Sequence, residues 1–238
     1  MPLFDMKYWI IVGPAMLLSM LAGFWVKSAF NKWKNVATRS GLTGSRVAQL
    51  ILARNGIHDV KVEMTDGYLS DHYDPRDKVL RLSPDVHNGR SISSLGVAAH
   101  EVGHAIQHAE GYSPLGFRSA LVPLAQFGSN LSWIFLMVGM LLGAASPLGR
   151  GVMMVGVGLF SFAVLFSLVT LPVEFDASRR ALITLEQGAY LDAEEMTGAR
   201  TVLRAAAATY VAAAIMALAQ LLYFVIRSGL LGGGRREE

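Results

Sequence analysis

The chain has 238 residues, of which 53% are hydrophobic and only 16% are charged, which is too apolar for an ordinary soluble domain. The formal charge of +3 is too small to indicate a nucleic-acid partner. The sequence contains no cysteine, which excludes disulfides and thiolate metal ligands, so any metal site must use His and carboxylate side chains.

Long charge-free stretches predict four transmembrane helices, at residues 9–26, 119–149, 151–173 and 205–226. The first would be about 27 Å long as a helix, close to the thickness of the hydrocarbon layer. A secretory signal peptide is the alternative for this stretch. We favour a retained anchor, because the apolar run is long and is followed by Lys27, Lys32 and Lys34 rather than by a cleavage site.

The segment between the first two apolar stretches is predicted to form a small α+β domain. The expected elements, in chain order, are a helix at 42–55, strands at 60–64 and 78–83, and a helix capped by Ser91 or Ser93. Thr43 or Ser45 could cap the first of these helices, and Asn55 could end it.

The second helix of this segment carries His100, Glu101 and His104 in the pattern His-Glu-x-x-His. Residues four apart lie on one face of an α-helix, so the two imidazoles can converge on one metal ion. Glu101 follows the first imidazole and could reach a metal-bound water as a general base and then a general acid. We therefore predict a zinc site in which Glu101 is catalytic, with Gly103 leaving room close to the helix.

A third ligand is required, and Glu174 is the best candidate. It stands where the apolar stretch 151–173 ends, and an acid at that depth is a functional candidate. Two predicted membrane crossings separate it from His104, which returns the chain to the same side and puts the metal close to the bilayer surface. The alternative is that Glu174 pairs with Arg179 or Arg180.

The chain resembles the YugP-like family of membrane zinc metallopeptidases, and more distantly HtpX and the CAAX prenyl proteases. The resemblance rests on residues 71–83, 100–108 and 174–181 in this order. It implies that residues 78–83 form an edge strand that pairs with an extended substrate; the alternative is a strand that only builds the sheet. In the wider HtpX-like group an Asp follows the third ligand by four residues, and here Ser178 holds that position. Serine orients a ligating imidazole less strongly than a carboxylate does.

The fold class predicted is a mostly α membrane protein, with four transmembrane helices and a small α+β zincin-like cytoplasmic domain. The predicted organisation is an anchor at 1–30, the zincin-like domain at 31–118, a helical hairpin at 119–173, a cytoplasmic segment at 174–204, and a fourth span with a polar tail at 205–238. Lys and Arg are in excess in and beside the segments 31–118 and 174–204, which indicates that both segments are cytoplasmic.

The function predicted is that of an integral-membrane zinc endopeptidase with His100, His104 and Glu174 as metal ligands, Zn²⁺ as cofactor and Glu101 as the catalytic residue. Its partners would be the lipid bilayer and a peptide or protein substrate, membrane-associated substrates included. The main alternative is a non-catalytic membrane scaffold or assembly factor that keeps the zinc site. A metal transporter is disfavoured, because residues 151–173 and 205–226 contain no ionisable residue apart from Tyr210 and Tyr223.

Overall fold

Four long helices dominate the chain in a computed structural model, which describes residues 5–143 and 145–230. They are α1 (Met6–Lys34), α5 (Ser113–Leu142), α6 (Pro147–Gln187) and α7 (Ala193–Arg227), and each is long and apolar enough to cross a membrane. The remaining elements are α2 (Gly44–Arg54), β1 (Lys61–Met64), β2 (His72–Asp74), β3 (Val79–Leu82), α3 (Pro84–His87) and α4 (Ile92–Ala109). The predicted fold class, a mostly α membrane protein with a small α+β part, is confirmed. The predicted polar tail lies outside the described residues.

The chain divides into two compact units. The first comprises Met1–Leu21, Phe117–Thr170 and Tyr210–Glu238. Within it, α5 and α6 approach closely at glycines: a Cβ at Gly139 would lie 2.8 Å from the amide nitrogen of Met153, and one at Gly156 would lie 2.8 Å from Leu136 Cγ. Small residues of this kind let membrane helices pack backbone to backbone.

The outer faces of this first unit remain apolar. Phe127 and Leu141, for example, are each 77% exposed. Such a surface would aggregate in water, but it is the surface that a lipid-facing helix requires. Together with the lengths of the four helices, it assigns the chain to the integral membrane proteins.

The second unit comprises Ala22–Gly116 and Leu171–Thr209, and it contains the sheet and the helices α2, α3 and α4. Helix α2 matches its prediction: the Thr43 side chain caps its first turn by accepting from Arg46 N, and Asn55 ends it. Its apolar face, which includes Val47 and Ile51, is buried in the core of this unit.

The three-stranded sheet corrects one expectation. Its order is β1-β3-β2, with β1 parallel and β2 antiparallel to β3. Strand β3, which matches the predicted strand 78–83, is therefore central, and both of its edges are already paired. The sequence showed two strands because β2 has only three residues, too few for a visible alternation. The outer strands are β1 and β2.

Helix α6 corrects a second expectation, because it does not end with its apolar run at residue 173 but continues to Gln187. The continuation buries Val173, Ala177, Ala181 and Leu185, which recur every four residues and form one helical stripe. The apolar run thus gives way to an amphipathic stretch of the same helix. Glu174 consequently lies within a helix, where its neighbours have fixed helical spacing.

Candidate metal centre

Helix α4 supplies the two predicted imidazoles from the buried interior of the second unit. Ser91 is its N-cap, with the Ser91 side chain accepting from Ser94 N, and the helix is buried along most of its length. His100 and His104 are each 8% exposed, and their ring centroids lie 4.9 Å apart in an edge-to-face arrangement. The four-residue spacing therefore does bring both rings to one place.

Helix α6 brings Glu174 to the same place. This carboxylate is 1% exposed, and its Oε2 atom lies 3.3 Å from His100 Nε2 and 3.6 Å from His104 Nε2. Among the described residues, these three side chains form a group whose possible ligand atoms all lie within 4.8 Å of one another. Ligand atoms on a tetrahedral zinc, with bonds of about 2.1 Å, are separated by roughly 3.4 Å, so the arrangement fits that ion.

Gly103 permits this approach of the two helices. A Cβ at position 103 would lie 2.5 Å from the carbonyl oxygen of Ala177, which real Cβ contacts do not tolerate. Ala177 is fully buried and stands one turn after Glu174 on α6. The glycine between the two imidazoles thus lets the backbone of α6 come close enough for Glu174 to reach them.

The outer nitrogen of each imidazole also has a partner. His100 Nδ1 lies 3.1 Å from Ser178 Oγ, and His104 Nδ1 lies 3.1 Å from Gln107 Oε1. Ser178 therefore does support an imidazole, from the position where the wider group has Asp. Hydrogen bonds of this kind orient metal-binding imidazoles and leave Nε2 facing the ion.

Gln107 was not predicted from the sequence. It is fully buried, and its amide nitrogen donates to Val173 O and to Asp176 Oδ2. The signal that could have found it is its position three residues after His104, since residues three apart share a helix face. A glutamine on the buried face of a metal-binding helix needs partners for both ends of its amide.

The two arginines that follow Glu174 most closely on α6 have other acidic partners. Arg179 and Arg180 both pair with Asp176, and Arg180 also pairs with Glu110. These pairs favour Glu174 as a metal ligand over the alternative in which it serves only as the partner of Arg179 or Arg180. Asp176 itself lies outside the group of possible metal ligands.

Glu101, the predicted catalytic residue, is 8% exposed and lies close enough to act electrostatically on two titratable neighbours. Burial raises the pKa of the Asp71 carboxyl; hydrogen bonds from Ser83 oppose this, and the Glu101 charge adds to it. For His104, burial lowers the pKa, but the bond to Glu174 and the charges of Glu101 and Glu174 outweigh burial and raise it. The carboxylates therefore favour positive charge at this position, as a cation site requires.

A third histidine of helix α4 has a different partner. His108 is exposed and hydrogen-bonds the Tyr73 hydroxyl at 2.8 Å, as expected for a residue one turn beyond the metal pair.

These observations define a class: a multi-span membrane protein with a buried group of two histidines and one glutamate that could hold a metal ion, and a second glutamate directly after the first histidine. Residues 8–229 match the model of the family described as "Putative neutral zinc metallopeptidase", and the chain belongs to that family. It is therefore a zinc metallopeptidase. It is also 47% identical over 212 residues to "Putative membrane protease YugP" of Bacillus subtilis (strain 168), covering 89% of this chain and 92% of that protein. No solved structure matches the chain.

Proposed function

We propose that the chain is an integral-membrane endopeptidase in which His100, His104 and Glu174 hold zinc and Glu101 is the general base. One observation carries the proposal: three buried side chains of the zinc-ligand type converge within 4.8 Å, and Glu101 adjoins the first of them in the helix. When bound there, zinc lowers the pKa of a coordinated water to about 7 and polarises the substrate carbonyl.

Glu101 moves the proton in this proposal. Its carboxylate accepts a proton from the water as the water oxygen bonds to the carbonyl carbon. It then donates that proton to the peptide nitrogen as the carbon–nitrogen bond breaks. The products are a carboxylic acid and an amine, and Glu101 ends in its starting ionisation state. The low exposure of Glu101 supports the role, because bulk water cannot screen the exchange.

Strand β2 would bind the substrate backbone. It is the outer strand beside α4, and the Tyr73 hydroxyl of β2 bonds to His108 of that helix. The other outer strand, β1, packs against α2 instead. An extended peptide added to the open edge of β2 would gain main-chain hydrogen bonds. This assigns to β2 the role that the sequence suggested for residues 78–83.

The site would face the cytoplasm and act on peptide or protein substrates, membrane-associated ones among them. Glu174 directly follows the apolar run 151–173 on the continuous helix α6. Basic residues are in excess on the loop side, namely Lys27, Lys32, Lys34, Arg39, Arg118, Arg179, Arg180, Arg200 and Arg204. The other side has Lys7, Arg150 and Arg227, with Arg235 and Arg236 outside the described residues. This bias supports a cytoplasmic site.

The test is Glu101→Gln in the full-length chain in detergent, with Glu186→Gln as the control because Glu186 is an exposed carboxylate on α6. We expect Glu101→Gln to keep its zinc and its melting temperature but to lose about 10²–10⁴-fold in cleavage of fluorescent casein. The control should match the wild type. Equal cleavage by Glu101→Gln would overturn the assigned role.

The same preparation separates the enzyme from the scaffold alternative. A wild-type chain that binds zinc but shows no zinc-dependent cleavage, together with cells whose membrane proteome is unchanged by Glu101→Gln, would favour the scaffold. A membrane protein that accumulates in the Glu101→Gln cells would instead identify a substrate.

A further inference from the structure

Gln107 occupies an unusual position beside the metal centre. It is fully buried, and it contacts His104 with its carbonyl end while its amide nitrogen contacts Val173 O at 2.9 Å and Asp176 Oδ2 at 3.0 Å. All of these partners belong to the second unit. The amide thus bridges a predicted metal ligand on α4 to α6.

The two ends of the Gln107 amide cannot be exchanged. Val173 O is a carbonyl oxygen and can only accept a hydrogen bond. Asp176 carries ion pairs to Arg179 and Arg180, which hold it as a carboxylate that also only accepts. The amide nitrogen must therefore face these two acceptors, and the amide oxygen must face His104.

This polarity determines which nitrogen of His104 carries the proton. The Gln107 oxygen can only accept, so His104 Nδ1 must donate, and the lone pair of the neutral ring is then on Nε2. That Nε2 atom lies 3.6 Å from Glu174 Oε2, within the group of possible ligand atoms. Gln107 therefore selects the form of the ring that can bind a metal.

His100 is held differently. Its Nδ1 contacts the Ser178 hydroxyl, which can donate or accept by rotating. Ser178 can therefore hold the ring in place without dictating its tautomer. Ser178 shows that a buried imidazole can have a hydrogen-bond partner without a fixed tautomer. Gln107 therefore does more than give His104 a hydrogen-bond partner.

We propose that Gln107 is a positioning residue that fixes the tautomer and orientation of His104, and that Asp176, anchored by Arg180, fixes Gln107 in turn. Glu110, which pairs with Arg180, completes this line of contacts. The inference rests on the proposed function, because it assumes that His104 is a zinc ligand. It adds a residue three positions beyond the motif to the set that determines zinc affinity.

The direct test leaves Gln107 and His104 unchanged. In zinc-loaded, full-length chain labelled with ¹⁵N-histidine in micelles, His104 should show a Nδ1–H resonance protected from solvent exchange. The His100 signal is identified by its shift in Ser178→Ala. Absence of a protected Nδ1–H on His104 in the wild-type chain would overturn the proposal.

Two variants then measure the effect on affinity by competition with a chelator. Gln107→Met keeps the approximate shape but removes the acceptor, and should weaken zinc binding about 10–100-fold and expose the Nδ1–H to exchange. Gln107→Glu keeps an acceptor opposite Nδ1 but loses the donor to Val173 O and Asp176 Oδ2, so it should recover only part of the affinity. If Gln107→Met does not fold, Gln107→Glu with an unprotected Nδ1–H would count against the proposal as well.

The outcomes distinguish this inference from the proposed function. Zinc retained by His104→Ala would refute both. Zinc lost from His104→Ala but bound with unchanged affinity by Gln107→Met, with an unchanged Nδ1–H signal, would refute only the role of Gln107.

Discussion

Helix α4 and the C-terminal part of α6 both contribute to the candidate metal centre, and they do so in different ways. From α4 come His100, Glu101 and His104, which one short stretch of helix places together by its own geometry. From α6 comes Glu174, whose distance to the imidazoles depends on how closely two separate helices pack. We infer that substitutions of His100 or His104 remove a ligand directly. Substitutions at the contact between the two helices instead change the distance between Glu174 and the imidazoles.

Helix α4 and the C-terminal part of α6 also differ in how far they are buried. Nearly all of α4 is buried, so its polar side chains must find partners within the protein. The C-terminal part of α6 alternates a buried stripe with exposed charged residues such as Arg179. Support for the α4 imidazoles comes partly from α6, at Ser178 and, through Gln107, at Asp176.

The largest effect is expected for a ligand on α4. His104→Ala should reduce bound zinc from about one ion per chain to almost none, because one imidazole and one carboxylate are too few ligands for a catalytic zinc. The matched control is His108→Ala, one turn further along the same helix with an exposed side chain. Metal analysis of both purified variants checks this, and full zinc in His104→Ala would reject the assignment.

The ligand on α6 should show the second largest effect. Glu174→Ala should weaken zinc binding strongly and remove most of the rise in melting temperature that zinc produces, since ligand binding to the folded state is also stability. Glu174→Asp, one methylene shorter, should keep part of both. Thermal unfolding at several zinc concentrations measures this, with Glu186→Ala as the exposed control. A zinc-dependent melting shift undiminished in Glu174→Ala would exclude Glu174 as a ligand.

Gly103→Ala tests the distance between the helices without touching a ligand. The added Cβ would meet Ala177 O at 2.5 Å and should force α6 away from α4. We expect a loss of about 1–3 kcal/mol in the free energy of unfolding, as for other overpacked sites, together with weaker zinc binding.

Gly96→Ala is the control on the same helix. A Cβ there would have its nearest contact, the Cβ of Ala199, at 3.6 Å, which is ordinary van der Waals distance. It should leave zinc affinity unchanged and could gain up to about 1 kcal/mol from the higher helix propensity of alanine. Denaturation and chelator competition compare the two, and equal zinc affinities in both variants would contradict the role given to Gly103.

The smallest effect is expected at Ser178. Ser178→Ala removes the partner of His100 Nδ1 and should weaken zinc binding by about tenfold, the lower end of the range for such supporting groups. Ser178→Asp should bind zinc at least as tightly as the wild type, because a carboxylate orients an imidazole more strongly. Should Ser178→Ala and Ser178→Asp have the same affinity, the contact would be incidental.

Much of the metal centre follows from the sequence, for a physical reason. The helical repeat fixes the relation of His100 to His104, so their four-residue spacing predicts convergence before any tertiary contact is known. The four apolar stretches likewise predict the membrane helices, because only a helix satisfies its backbone in lipid over that length. Glu174 could be identified as a candidate ligand from its position at the end of such a stretch.

Other features required the tertiary structure. Sequence composition changes at residue 173, but α6 continues to Gln187 because its buried stripe packs in the second unit. The pairing of β3 on both edges depends on a three-residue strand whose partners are set by sheet packing rather than by local preference.

The supporting contacts of the imidazoles are of the same kind. Neither the bond of Ser178 to His100 nor the amide bridge of Gln107 can be read from spacing alone, because each depends on where α6 lies against α4. The sequence by itself determined which residues could bind a metal, since that depends on side-chain chemistry and helical spacing. Only the tertiary structure decided which neighbours orient them, since that depends on the packing of residues some seventy positions apart, such as His104 and Glu174.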